Sequence, residues 1–194
     1  MAADFIAVGV AYGLRKPGVF GKRVNGTIPF WSWLSFLPYH ALNVAVWHFA
    51  RLMSSEPASN EVGDALVIGR RPANDEVVPD VANLIDLTSE LQEPPQFRTH
   101  AGYVCLPTLD ATAPSLEQLA LTMRRLRPGR AFIHCAQGHG RTGLAALAFL
   151  LSRGLVDNVP DALRKIQLAR PGVRLNREQY RCAEAYAALL EKGA

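Results

Sequence analysis

Cys135 and Arg141 stand with five residues between them in the stretch 130–143, RAFIHCAQGHGRTG. A thiol is a nucleophile only as thiolate, and a free one loses its proton near pH ~8.5. Three local features favour the anion here. Gly138, Gly140 and Gly143 lack a Cβ, so the backbone can approach a ligand closely and turn its N–H groups inward as an anion nest. An apolar helical segment beginning at Arg141 adds the positive end of its dipole, and Arg141 itself adds a guanidinium. The same groups would hold a phosphate, Arg141 through two oxygens and the backbone of Ala136, Gln137, Gly138, His139 and Gly140 through the others. Thr142 can donate its hydroxyl to the sulfur, steadying the thiolate and later the departing sulfur. The competing reading is a buried structural cysteine beside a packing turn.

The elements that position this loop follow from pattern. Ala131-Phe132-Ile133 is a short, turn-bounded apolar run and reads as a buried strand feeding His134-Cys135. Further strands are predicted over 65–69, 82–87 and 102–106. Helices are predicted over 115–127, closed by Pro128-Gly129, and over 144–153, 159–169 and 176–191. Residues 88–99, carrying Glu90, Glu93, Pro94 and Pro95, read as a loop. Strands interleaved with helices imply an α/β fold, a mostly parallel sheet of four to five strands flanked by helices. Three cysteines without paired spacing argue against a disulfide framework or a zinc site, and a reactive thiolate suits a reducing cytoplasm.

The net charge of +4 is unevenly spread. Residues 1–53 hold five basic side chains (Arg15, Lys16, Lys22, Arg23, Arg51) against the single acid Asp4, while the rest of the chain balances. Basic charge beside hydrophobic sequence points to an anionic membrane surface before nucleic acid, for which no aromatic-basic motif is present. Residues 5–14 are apolar but too short to span a bilayer, and 15–26 read as a basic loop. Between Val24 and Ala50 there is no charged residue, yet Pro29, Pro38, His40, Asn43 and His48 interrupt it. A helix is predicted from Pro38 to about Met53, with His40, Asn43, His48 and Arg51 on one arc and Leu42, Val46, Phe49 and Met53 opposite. Three readings stay open for 28–53: a helix lying in a membrane interface, one docked on the domain, and a true span. Residues 54–63 read as a linker. The chain is therefore divided into a basic, aromatic-rich hydrophobic extension (1–53) and a catalytic domain (62–192).

Cys135, five residues, Arg141 and Thr142 resemble the Cys-x5-Arg-Ser/Thr signature of the cysteine-dependent protein tyrosine and dual-specificity phosphatases, and His134 and Gly138 also fit. Rhodanese-type sulfur transfer uses a cysteine loop too, but Arg141-Thr142 leading straight into a helix favours phosphate. The resemblance covers about residues 62–192 and implies a dual-specificity-like fold. The implied activity is phosphomonoester hydrolysis through a phosphocysteine, without metal or other cofactor, on phosphoproteins. Alternatives are a membrane-associated phosphatase of phosphoinositides or other phospholipids, a catalytically silent module that binds phosphorylated partners, and a membrane scaffold. The implied location is cytoplasmic, peripheral on the inner face of a membrane in the lipid reading.

The same family uses an aspartate on a mobile upstream loop as acid and then base. Asp110, in Leu106-Pro107-Thr108-Leu109-Asp110, fits, although the Trp-Pro-Asp sequence of the tyrosine phosphatases is not present. Asp86, in a strand, is the second candidate and reads as structural. By the same resemblance His134 orients the loop through backbone hydrogen bonds, and Gln179, after the loop 170–179, is a candidate for positioning the hydrolytic water. Gln179 equally fits a capping box with Asn176. His139 either reaches a second phosphate or acidic headgroup or sits exposed at the pocket rim. Some relatives protect the nucleophile by a disulfide, which makes Cys105 a candidate partner of Cys135, provided their Cα atoms come within ~7 Å.

Overall fold

The computed structural model describes residues 2–193, with side chains for residues 6–193, so Asp4 lies outside the described side chains. Five strands, β1 (Ser59–Val62), β2 (Leu66–Arg70), β3 (Asn83–Thr88), β4 (Tyr103–Thr108) and β5 (Ala131–Cys135), form one sheet in the order β1-β2-β5-β3-β4. Only β1 runs antiparallel, at the edge. β5 occupies the centre, so Cys135 leaves the sheet at its middle, where neighbouring strands on both sides hold the loop that follows. This is the expected α/β fold.

Alternation along each strand divides the sheet into two faces. Leu66 and Ile68, Ile85 and Leu87, and Ala131, Ile133 and Cys135 join the main core. That core is completed by α5 (Leu116–Arg125), α6 (Gly140–Ser152), α7 (Val159–Ala169) and α8 (Arg177–Lys192). The opposite face carries Val67, Leu84 and Phe132, with Phe97 from the short α4 (Pro95–Arg98). α6 is buried from Arg141 to Leu150, as its unbroken apolar sequence requires. Ser115 with Gln118, and Asn176 with Gln179, make capping boxes that start α5 and α8.

The N-terminal region differs most from the sequence reading. It contains α1 (Ala2–Gly13), a 3-10 turn over Pro17–Phe20 inside the stretch read as a basic loop, α2 (Phe30–Ser35) and α3 (Leu37–Met53). The stretch read as a linker contains β1, paired along its length with β2. α3 docks on the domain by its polar arc: His40 lies 3.1 Å from Ser32 Oγ and 3.3 Å from the Glu90 carbonyl, and Trp47 packs with Ala73 and Leu91. Phe20 stacks on Tyr39 at 4.4 Å, and both cluster with Leu109 of the domain. The arc carrying Leu42, Val46, Phe49 and Met53 faces outward. Among the described residues no helix is long and apolar enough to cross a membrane.

Candidate active site

β5 delivers Cys135 into a loop that returns as the N-terminus of α6. The Gly138 N–H lies 3.3 Å from Cys135 Sγ and donates to it. Three successive carbonyls of this loop are taken from outside. Arg71 N–H donates to Ala136 O, and Arg170 donates through Nη2 to Gln137 O at 3.1 Å and through Nε to Gly138 O at 3.0 Å. A peptide whose C=O is held outward turns its following N–H inward, and that is the anion nest. Arg170 is itself buried and anchored on Pro57 O, Asn60 and Glu56, so the first residues after the extension help to shape the loop.

The glycines of the loop also answer to protein neighbours. Gly138 has φ +77, and a Cβ there would stand 2.4 Å from the Gly69 carbonyl carbon on β2. A Cβ on Gly140 would press on the Gln179 amide, and one on Gly143 on Val173. These positions are small because protein packs closely against them.

Arg141 is fully buried and finely held. Nη1 and Nη2 donate to the two carboxylate oxygens of Glu90 at 2.9 and 2.7 Å, and Nη1 also donates to Thr108 O at 2.9 Å. Its Nε is buried without a partner among the described residues. Burial opposes the guanidinium's charge, but Glu90, the Cys135 sulfur and Asp110 outweigh it and hold Arg141 above its usual range. For Glu90 burial likewise disfavours the carboxylate, and Arg141 overcomes this to hold its pKa below the ordinary value. The pair fixes the fork of Arg141 beside the loop and leaves its Nε–Nη2 edge, met only by the exposed Asp110 carboxylate, to receive an oxyanion.

Asp110 follows β4, its side chain is 72% exposed, and Oδ1 lies 3.1 Å from Arg141 Nη2. The next residue, Ala111, has φ +58, a left-handed conformation unusual for alanine. It is held there by the first turn of α8: the Asn176 side chain donates to Ala111 O, Gln179 Nε2 donates to Thr112 O, and Glu178 accepts from the Ala113 N–H. Cys135, Arg141, Asp110, Glu90, Ala136, Gln137, His139 and Gly140 share one hollow of about 300 Å³. Its far wall comes from α3, through Asn43, Val46 and Trp47. A larger hollow of about 650 Å³ lies behind the Asp110 loop, lined by Arg15, Arg177 and Arg181 among others, and includes neither Cys135 nor Arg141.

Three expectations, at Thr142, His134 and Cys105, are corrected, and two left open, at His139 and Gln179, fall to the rim and capping alternatives. Thr142 Oγ1 is buried and makes no hydrogen bond to the sulfur or to any described group. His134 makes no backbone bond, because alternation sends its ring to the face opposite Cys135, where Nε2 lies 3.4 Å from Glu93. His139 does not reach across the pocket, since Nε2 contacts Glu56 at 2.8 Å on the rim. Gln179 does not line the pocket, and its amide serves the Asn176 cap and Thr112. Cys105 pairs in register with Asp86, which pairs with His134, so it lies two strands from β5, roughly 9–10 Å away. Cys105 also sits on the face opposite Cys135, and no disulfide spans that distance. Its thiol is pushed up to about 12 by burial and by Asp86.

Asp86 is structural, as read. Lys22 Nζ donates to Asp86 Oδ2 at 2.6 Å and to Thr88, and Tyr103 donates to the same carboxylate. Burial works against the ionised form, but Lys22 and His134 more than reverse it, and the Asp86 pKa is lowered. Asp86, Glu93 and His134 have ligand atoms near enough for a metal. The Lys22 ammonium already supplies the positive charge on Asp86. The sequence reading missed Glu90, Arg170, Lys22 and the α3 wall. Each is a residue of ordinary type in a loop or helix, and only its long-range partner marks it.

A family model described as "Swiss Army Knife protein, DSP-PTPase phosphatase domain" matches residues 66–185, more than half of the chain. None of the curated proteins compared matches it by sequence. Among solved structures, Tk-PTP in its active form is 29% identical with a TM-score of 0.58, over 68% of this chain and 97% of that one. A point variant of human DUSP28 is 16% identical with a TM-score of 0.60, over 72% of this chain and 100% of its own. PTPMT1 in complex with PI(5)P is 16% identical with a TM-score of 0.60, over 71% of this chain and 100% of that one, and at that identity it speaks for the fold alone. With the matched segment spanning β2 to α8 and enclosing Cys135, Arg141 and Asp110, the chain belongs to the DSP-PTPase family and carries a cysteine-dependent, dual-specificity-type phosphatase domain.

Proposed function

We propose that this phosphatase works through a phosphocysteine at Cys135, with Asp110 as acid and base. The sulfur attacks phosphorus, the S–P bond forms, and the P–O bond to the leaving group breaks as its oxygen takes the Asp110 proton. A water then attacks the same phosphorus and returns a proton to Asp110. The S–P bond breaks, releasing inorganic phosphate and the thiolate. Inward N–H groups and the Nε–Nη2 edge of Arg141 hold the equatorial oxygens throughout, so catalysis is mainly positioning and electrostatics. The observation that carries the reading is Gly138 N–H on Cys135 Sγ in a hollow shared with Arg141 and Asp110.

Phosphate release from an aryl phosphate tests it. Wild type is expected to turn over and Cys135→Ser to be silent, and Asp110→Asn to slow the reaction by about 10²–10⁴. A silent wild type would leave a phospho-binding module instead. For the substrate, the default is a phosphoprotein in a reducing cytoplasm. The α3 wall favours a second reading, a phospholipid monoester met at the inner face of a membrane. The same fold accommodates an inositol lipid in PTPMT1, so this reading needs no new architecture. A release screen over phosphopeptides and phosphoinositide vesicles, blanked with Cys135→Ser, separates the two.

A further inference from the structure

Among the described residues, thirteen of the eighteen large hydrophobic side chains that stand exposed lie within the first 53 residues, though these are little more than a quarter of the chain. In α3 they form one continuous side. At about 100° per residue, Leu37, Leu42, Val46, Phe49, Leu52 and Met53 occupy the same half of the helix, and only His48 interrupts that half with a polar group. Phe49 is 66% and Leu52 82% exposed. The other half is fully engaged, with His40 on Ser32 and Glu90, Asn43 donating to Tyr39 O, and Trp47 stacked under Arg71. α3 is therefore seated with its polar half inward and its apolar half uncovered, the reverse of an ordinary surface helix. α1 and α2 add Ile6, Val10, Phe30 and Leu34 to the uncovered apolar surface.

We infer that this uncovered side of α1–α3 docks on an anionic lipid bilayer, and that the substrate of the adjoining pocket is a phosphomonoester carried in that bilayer. The second half rests on the phosphatase reading, and the first does not. Charge argues for the occupant. Residues 6–53 contain no Asp or Glu, and Lys16 and Arg23 are exposed, as an anionic headgroup layer requires, while the exposed Arg15 pairs with Glu178 at 3.1 Å. Length argues for lying on the surface, because no described helix is long and apolar enough to cross it. Position argues for the substrate. Val46 belongs both to the apolar half of α3 and to the wall of the hollow holding Cys135, so a bilayer seated on that side meets the pocket at headgroup depth.

The test uses the full chain, sedimented with neutral phosphatidylcholine vesicles and with vesicles enriched in phosphatidylserine. Light scattering in the absence of lipid reports any self-association. Binding to the anionic vesicles, weakened by salt, is expected. Phe49→Glu/Leu52→Glu should cut it roughly tenfold or more, and cut turnover of a vesicle-borne phosphomonoester relative to a soluble aryl phosphate similarly. Circular dichroism of the variant checks that it is folded. Failure to pellet with anionic vesicles overturns the docking, as does a lipid-free dimer that the variant dissolves, since a second copy then covers the face. Vesicle binding with turnover confined to phosphopeptides overturns the substrate half. Binding with no turnover of any monoester refutes the phosphatase reading and leaves the docking standing.

Discussion

Replacing Lys22 by methionine keeps the length of the side chain and removes its charge from a site where neither partner meets water. The Lys22 and Asp86 side chains are both 0% exposed and 2.6 Å apart, and Lys22 also donates to Thr88. Breaking a buried pair from one side strands the other charge, at a cost of about 3–5 kcal/mol. For a chain of this size each kcal/mol moves the melting temperature by about 2–4 °C, so a fall of roughly 6–20 °C is expected. Thermal and urea unfolding of wild type, Lys22→Met, Asp86→Asn and the double variant form a cycle. The double variant should recover much of the loss, because an apolar or neutral pair leaves no stranded charge. Acid provides an independent check. The folded pKa of Asp86 is lowered, so its contribution is present above the unfolded value of about 3.9 and is lost as pH falls through the folded one. The gap between wild type and Lys22→Met should therefore close toward low pH. A coupling energy under about 0.5 kcal/mol would refute the reasoning, and would mean that the extension is not locked into the sheet through this pair. The same bond makes removal of residues 1–53 a poor test of membrane binding, since it strands Asp86 in the domain.

Glu90→Gln should lower kcat/KM on an aryl phosphate by about 10²–10³, because Arg141 loses its bidentate hold while staying buried. A change under roughly threefold would show that Thr108 O alone suffices. Gly138→Ala, at φ +77 and against the Gly69 carbonyl, should cost about 1–2 kcal/mol in backbone strain alone and reduce turnover, measured by urea unfolding and initial rates. Wild-type stability in that variant would put the Gly138 conformation in error. Peroxide treatment should oxidise Cys135 without forming a Cys105–Cys135 disulfide, read by mass spectrometry of non-reduced peptides. Finding that bridge would require β3 to leave the sheet between them.

Ala111 shows how the acid loop is held. An alanine at φ +58 persists only if its surroundings over-determine it, and Asn176, Glu178 and Gln179 do so from the start of α8. Gln179 thereby bears on both sides of the chemistry, through Thr112 on the acid loop and by contact with Gly140 on the phosphate loop. Its capping role uses Oε1 and the backbone N–H on Asn176, and its tertiary role uses Nε2 on Thr112 O, so one amide serves both.

The chain sequence alone determined what short-range physics determines. Short, turn-bounded apolar runs marked four of the five strands. Capping residues at Ser115 and Asn176 marked helix starts, and the 130–143 stretch put a cysteine, small residues and an arginine on one turn. β1 escaped because Ser59-Asn60-Glu61-Val62 has strand geometry only where β2 offers it an edge. Glu90, Arg170 and Lys22 were readable as residues but not as parts of a site. Their partners lie 51, 32 and 64 positions away, and nothing in a loop's composition tells a buried acid from a solvated one. The orientation of α3 was the sharpest limit. Periodicity separated its two sides except at His48, which was placed with the polar arc and stands exposed among the apolar residues; which side faces the protein depends on what the rest of the chain presents. Here that surface offers a backbone carbonyl at Glu90, an arginine for Trp47 and a buried serine, so the polar side docked and the apolar side was left outside.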